Sequence, residues 1–142
     1  MANGPDSNWI GITANKTNNG PAPYSFQYTF NLSSFVLSTV SLSGSWTIDD
    51  EGTLSVNDHV ISTLGNGNWV SLDNFSLAAG SGLLNQGLNT LDINMTSDDQ
   101  YLEGGRLEGS ITGTQVPEPC TMLLLGSGLA GLAGFRSRFK RS

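Results

Sequence analysis

In the stretch YSFQYTFNL the side chains alternate without a break: Tyr24, Phe26, Tyr28, Phe30 and Leu32 fall on one face of an extended chain, and Ser25, Gln27, Thr29 and Asn31 on the other. A helix would repeat its apolar stripe every three to four residues, so a period of two dictates a half-buried strand. VSLSGSWTI repeats the pattern, with Val40, Leu42, Trp46 and Ile48 on one side and Ser41, Ser43, Ser45 and Thr47 on the other. Gly44 is the gap in the apolar row and is expected to mark a bulge or the close approach of another backbone. A polar face on each strand points to antiparallel pairing, because the strands of parallel sheets are buried on both faces.

The rest of the body continues in the same way. Turn chemistry at Asp49 to Gly52, at Asn57-Asp58, at Gly65 to Asn68 and at Asn85-Gln86-Gly87 separates the short segments TLSV, HVISTL, WVSLDNFSL and NTLDINMT, and RLEGSIT closes the series. Seven or eight strands are expected, with turn signals at the spacing of about 8–12 residues found in sandwiches and jelly rolls. The fold class is therefore all-β, an antiparallel β-sandwich occupying residues 1–115, with residues 116–142 as a separate tail.

Charge divides the chain at the same place. Residues 1–116 hold Lys16 and Arg106 against eleven acids, a net −9, whereas residues 117–142 hold Arg136, Arg138, Lys140 and Arg141 against Glu118, a net +3. Binding to nucleic acid requires a basic face that displaces counterions from phosphates, and the body has none. Cys120 is the one cysteine, which excludes an internal disulfide and a multi-cysteine metal site.

The body carries little that reads as reaction chemistry. His59, just after a turn, is the one histidine, and without a second imidazole or a partner nucleophile it reads as an exposed strand-end residue. Asp49, Asp50, Asp98, Asp99, Glu103 and Glu108 are the carboxylates from which an acid/base pair for glycan hydrolysis would be drawn. Most lie where turns favour acids for backbone reasons. No cofactor is expected; the one ion that the sequence allows is a structural calcium at Asp49 and Asp50 or at Asp98 and Asp99, where clustered acids adjoin loop backbone. Trp69, in NGNWV, is the aromatic best placed to stack on a sugar ring, since Trp9, Trp46 and the Tyr24 to Phe30 row have a core to fill. The order WTIDDEGTLSVND, GLNTLDINM, GGRLEGSIT resembles galactose-binding-like sandwich domains, and that resemblance implies a lectin-like jelly roll.

The tail is of another kind. From Pro119 to Phe135 run 17 residues without a charge, expected to be helical over 120–135 and followed by a basic end at 136–142. A helix of that length measures about 26 Å, at the short end for a hydrocarbon core of about 30 Å, and flanking arginines can snorkel. A helix apolar all round belongs in a large core or in a membrane, and a small sandwich has no slot for it. A single transmembrane helix is the expectation, with Arg136, Arg138, Lys140 and Arg141 acting as a cytoplasmic stop-transfer cluster.

Val116, Pro117, Glu118 and Pro119, then a Leu/Gly-rich span, then a short Arg-rich end together resemble the PEP-CTERM sorting signal of Gram-negative bacteria. The resemblance implies export, transient residence in the inner membrane, cleavage near Pro-Glu-Pro by an exosortase-type membrane peptidase, and delivery to the cell surface or extracellular matrix. It also implies a link to exopolysaccharide and biofilm, so the chain is expected to be a structural or glycan-binding protein and not an enzyme. The alternatives are a carboxylate-based glycan hydrolase and a non-exported, tail-anchored binding module. MANGPDSNW has neither the charged nor the apolar region of a secretory signal, so the export reading expects upstream coding sequence to supply one, or the gene to be a fragment.

Overall fold

The alternating segments pair as strands in a computed structural model that describes residues 5–11, 23–96, 104–117, 123–130 and 132. In chain order the strands are β1 (Ile10–Gly11), β2 (Tyr24–Asn31), β3 (Ser41–Asp49), β4 (Glu51–Val56), β5 (His59–Leu64), β6 (Asp73–Leu77), β7 (Leu88–Thr96) and β8 (Gly104–Thr112). Two four-stranded antiparallel sheets result, with strand orders β1-β8-β3-β6 and β2-β7-β4-β5. Their inner faces share one apolar core, so the body is a sandwich as its alternation predicts.

The core follows the period-two rows. From β3, Leu42, Trp46 and Ile48 are buried, and they meet Leu54 and Val56 of β4 and Leu91, Ile93 and Met95 of β7. Trp46 spans the interior, and its indole Nε1 donates to Ser62 Oγ of β5, in the other sheet, at 2.9 Å. That bond satisfies the single polar atom of a side chain that is otherwise fully buried.

Gly44 is where two backbones come close. It pairs with Gly109 of β8 and with Phe75 of β6 in unbroken register. A Cβ at Gly44 would collide with the Glu108 carbonyl and lie 2.7 Å from Gly109 Cα and 2.8 Å from Phe75 Cε1. Phe75 thus fills the space that two facing glycines leave, and it is buried. The register shift falls elsewhere, between Leu54 and Ser55 in the β4–β5 pairing.

Three differences from the sequence reading have local causes. Tyr28, expected inside with its neighbours, is 60% exposed, because β2 is the edge of its sheet and the apolar row overhangs the core there. WVSLDNFSL is a strand only from Asp73; Gly67, at φ 99°, turns the chain into a 3₁₀ turn at Asn68–Val70. That turn packs over β3, where the buried Thr47 hydroxyl donates to the Asn68 carbonyl. The two-residue β1 is too short to show a period.

Of the helix expected over 120–135, residues 123–130 and 132 are helical, and the remainder lies outside the described residues. Among the described residues no helix is long and apolar enough to cross a membrane.

Candidate functional site

The two ends of the sandwich differ, and the candidate residues sort between them. One end gathers the β2–β3 connection (32–40), the Asn57–Asp58 turn, the β6–β7 connection (78–87) and the segment after β8. The opposite end gathers Asp49, Asp50 and Glu51, the Asn68–Val70 turn, and the ends of β7 and β8 that the sequence SDDQYLE joins.

At the first end the segment following β8 is strapped to the body. Val36 N–H donates to the Thr114 carbonyl and Val116 N–H to the Ser34 carbonyl, both at 2.8 Å, and Phe35 and Gln115 form an isolated antiparallel bridge. Thr114 N–H also donates to Thr39 Oγ1 at 2.8 Å. Gly113 permits the approach, since a Cβ there would sit 3.0 Å from Val40 Cγ2 and 3.2 Å from Phe35 Cδ1. Val116 is held by its backbone while its side chain is 46% exposed, and Pro117 is exposed. Glu118, Pro119 and the basic residues Arg136, Arg138, Lys140 and Arg141 lie outside the described residues.

The same end is cross-tied by amides. Asn57 Nδ2 donates to the Leu83 carbonyl at 2.7 Å and to Asn89 Oδ1 at 2.8 Å, while Asn57 Oδ1 accepts from Thr90 N–H at 2.9 Å. The buried Asn89 donates in turn to the carbonyls of Asn85 and Gly87. Gln86 Nε2 reaches the Leu32 carbonyl at 2.8 Å. Each buried amide is satisfied, which fixes these loops to one another.

At the opposite end Trp69 is 38% exposed beside Val70, which is 75% exposed. Asp49 closes β3 and Asp50 lies buried in the turn to β4. Asp98 and Asp99 lie outside the described residues. Among the described residues no group of three or more His, Cys, Asp or Glu is placed to hold a metal ion. His59 is exposed at the start of β5.

Two concave regions were not foreseen from the sequence. A cleft of about 430 Å³ opens between the edges of the sheets, where Tyr28, Phe30 and Leu91 face Leu107 and Ile111. The Tyr28 and Phe30 rings are stacked with centroids 6.2 Å apart. A shallow depression of about 510 Å³ lies over Gly44 and Gly109, bordered by Ser43, Ser45, Asn74 and Glu108. The Glu108 carboxylate there accepts from Ser7 Oγ at 2.9 Å and pairs with Arg106 at 3.2 Å. That Tyr28 and Phe30 share a face follows from the period of two, whereas the edge position of Tyr28 depends on strand order, which alternation alone does not encode.

Comparison with known proteins adds to this geometry. Among solved structures, a family 35 carbohydrate binding module from an environmental isolate is similar at a TM-score of 0.42 and 18% identity, over 71% of this chain and 76% of that one. No curated protein matches the chain. The PEP-CTERM protein-sorting motif matches residues 115–138, starting at the Gln115 that bridges to Phe35. The chain carries a PEP-CTERM protein-sorting motif, whose first two residues, Gln115 and Val116, are the last strapped residues of a β-sandwich.

Proposed function

We propose that this chain is an exported cell-surface or extracellular-matrix protein of a Gram-negative bacterium, in which the sandwich is cargo and the segment after Val116 is a removable membrane address. The observation that carries this is the match of the sorting motif to residues 115–138, which begins on the last two residues tied to the body, Gln115 and Val116. In this reading residues 119–135 lie in the inner membrane and the basic end stays cytoplasmic. Val116, Pro117, Glu118 and Pro119 are substrate residues for an exosortase-type peptidase. A proline on each side of Glu118 disfavours helix and favours the extended backbone that a peptidase cleft requires. The exposure of the helical leucines supports a bilayer as their cover: Leu123, Leu124, Leu125, Leu129 and Leu132 are 59–75% exposed.

The delivered sandwich acts by binding, with the exposed face of Trp69 as the contact for extracellular polysaccharide. Of the candidate acids, Asp49 and Glu108 are spaced too widely to act as a hydrolytic pair. Asp49 pairs with Gly104, and Ser45 with Glu108, so the two acids lie four residues apart along the sheet. That is about 13 Å, wider than the roughly 5–9.5 Å that glycosidic cleavage uses.

The test replaces both prolines. With a secretory leader fused upstream, and in a host with an active exosortase, P117A/P119A protein is expected to accumulate uncut in the membrane fraction while the parent chain is shortened and released. Equal shortening and release of the two would overturn the assignment of these residues as the processing site.

A further inference from the structure

The sandwich is electrically polar along its length. The connections 32–40, 78–87 and 113–117 contain no charged residue, and the Asn57–Asp58 turn adds only Asp58 to that end. Asp49, Asp50 and Glu51 stand at the opposite end, toward which the sequence SDDQYLE also leads. The tail leaves from this end, where Asp58 is the one charged side chain of these segments; Val36 and Val116 are 39% and 46% exposed there and Leu88, on the rim, is 67% exposed.

The tether there is short and fixed. Val116 is hydrogen-bonded to Ser34, and the uncharged run begins three residues later, at Pro119. Three residues reach about 10 Å when fully extended. A body joined to a bilayer through so short a link cannot turn over freely. The end that bears the link must meet the lipid headgroups, whereas a body of net −9 is repelled from anionic lipid over about a Debye length, roughly 8–10 Å. This weakly charged end can approach at the least electrostatic and desolvation cost, and its loops are tied together by the Asn57, Asn89, Gln86 and Thr39 hydrogen bonds.

Resting on the membrane-tail reading above, we propose that before processing the sandwich stands end-on against the phospholipid surface. The rim formed by Val36, Leu88 and Val116 faces the headgroups, and the acidic end with Trp69 points away. The occupant of this weakly charged end is the bilayer that holds the chain's own tail. The scissile segment then starts from a hydrogen-bonded residue of an end that rests on the lipid, and the glycan-contacting end is already directed outward.

The full chain, with Cys120→Ser and a single fluorophore-bearing cysteine, is reconstituted into phosphatidylethanolamine/phosphatidylglycerol vesicles that carry a headgroup nitroxide quencher. The label goes in turn at Val36→Cys, Leu88→Cys and Glu51→Cys, positions at opposite ends of strands about 30 Å long. Quenching several-fold stronger at Val36 and Leu88 than at Glu51 is the expected result. A flexible linker of about 15 residues inserted after Val116 should abolish the difference while the protein still floats with the vesicles. Equal quenching at all three positions in floating, unlinked protein would overturn the end-on arrangement and leave the membrane tail standing. Protein that fails to float would overturn both.

Discussion

Single residues in this protein matter most where two backbones touch. Gly44 has no room for a methyl group, and its obstacles are the backbone of β8 and the ring of Phe75. Gly44→Ala should cost about 3 kcal/mol, at the upper end of overpacking effects, and lower the chemical denaturation midpoint. Gly65→Ala, with nothing within 4 Å and no positive φ, should stay within about 0.5 kcal/mol of the parent. Comparable midpoints for the two variants would refute the close approach of β3 and β8. Trp69 is the residue on which the binding reading depends. Trp69→Ala should weaken retardation in gels containing polysaccharide from the producing cells by about 2 kcal/mol of affinity, with cooperative unfolding retained. Unchanged retardation would remove Trp69 from the contact. The gap at Gly44 and the inward row of β3 were legible in the sequence, because each strand face is read off a period of two. The exposure of Tyr28 was not, because it depends on which strand ends up at the sheet edge, a property of pairing order among segments distant in sequence.

At the level of elements, most strands were legible, and the exceptions share a physical cause. Where apolar residues alternate with Ser, Thr and Asn over five or more positions, strand and face follow. Where a left-handed glycine intervenes, as at Gly67, local backbone geometry overrides the apolar run, and Trp69-Val70 becomes a turn that covers Thr47. The strap after β8 was also hidden. TGTQV has no alternation to betray it, and its order comes from hydrogen bonds to the β2–β3 connection. Thr39 is the side chain that locks it, accepting from Thr114 N–H and donating to the Val36 carbonyl at 2.7 Å. Thr39→Val should weaken the strap by about 1 kcal/mol, speeding amide exchange at Thr114 and Val116 about fivefold and leaving the core strands protected. Unaltered exchange at both amides would show that the strap does not depend on this hydroxyl.

Across the whole molecule, charge and hydrophobic run length set an acidic body apart from a basic-ended apolar tail, and the sorting motif that the tail resembles matches residues 115–138. The sequence did not reveal that the boundary is a hydrogen-bonded edge, with Val116 still tied to the body and Pro117 beyond it. That placement turns processing into a change of mass: in the proposed reading the folded body and the address separate within the few residues after Val116. The most direct measurement is the intact mass of the protein recovered from the cell surface, in otherwise identical cells with and without an active exosortase and with a secretory leader supplied. A surface form ending within or next to Pro117-Glu118-Pro119 is expected in the first case, and membrane-retained, uncut protein in the second. Full-length protein at the surface, or the same shortened form whether or not the peptidase is active, would contradict that reading.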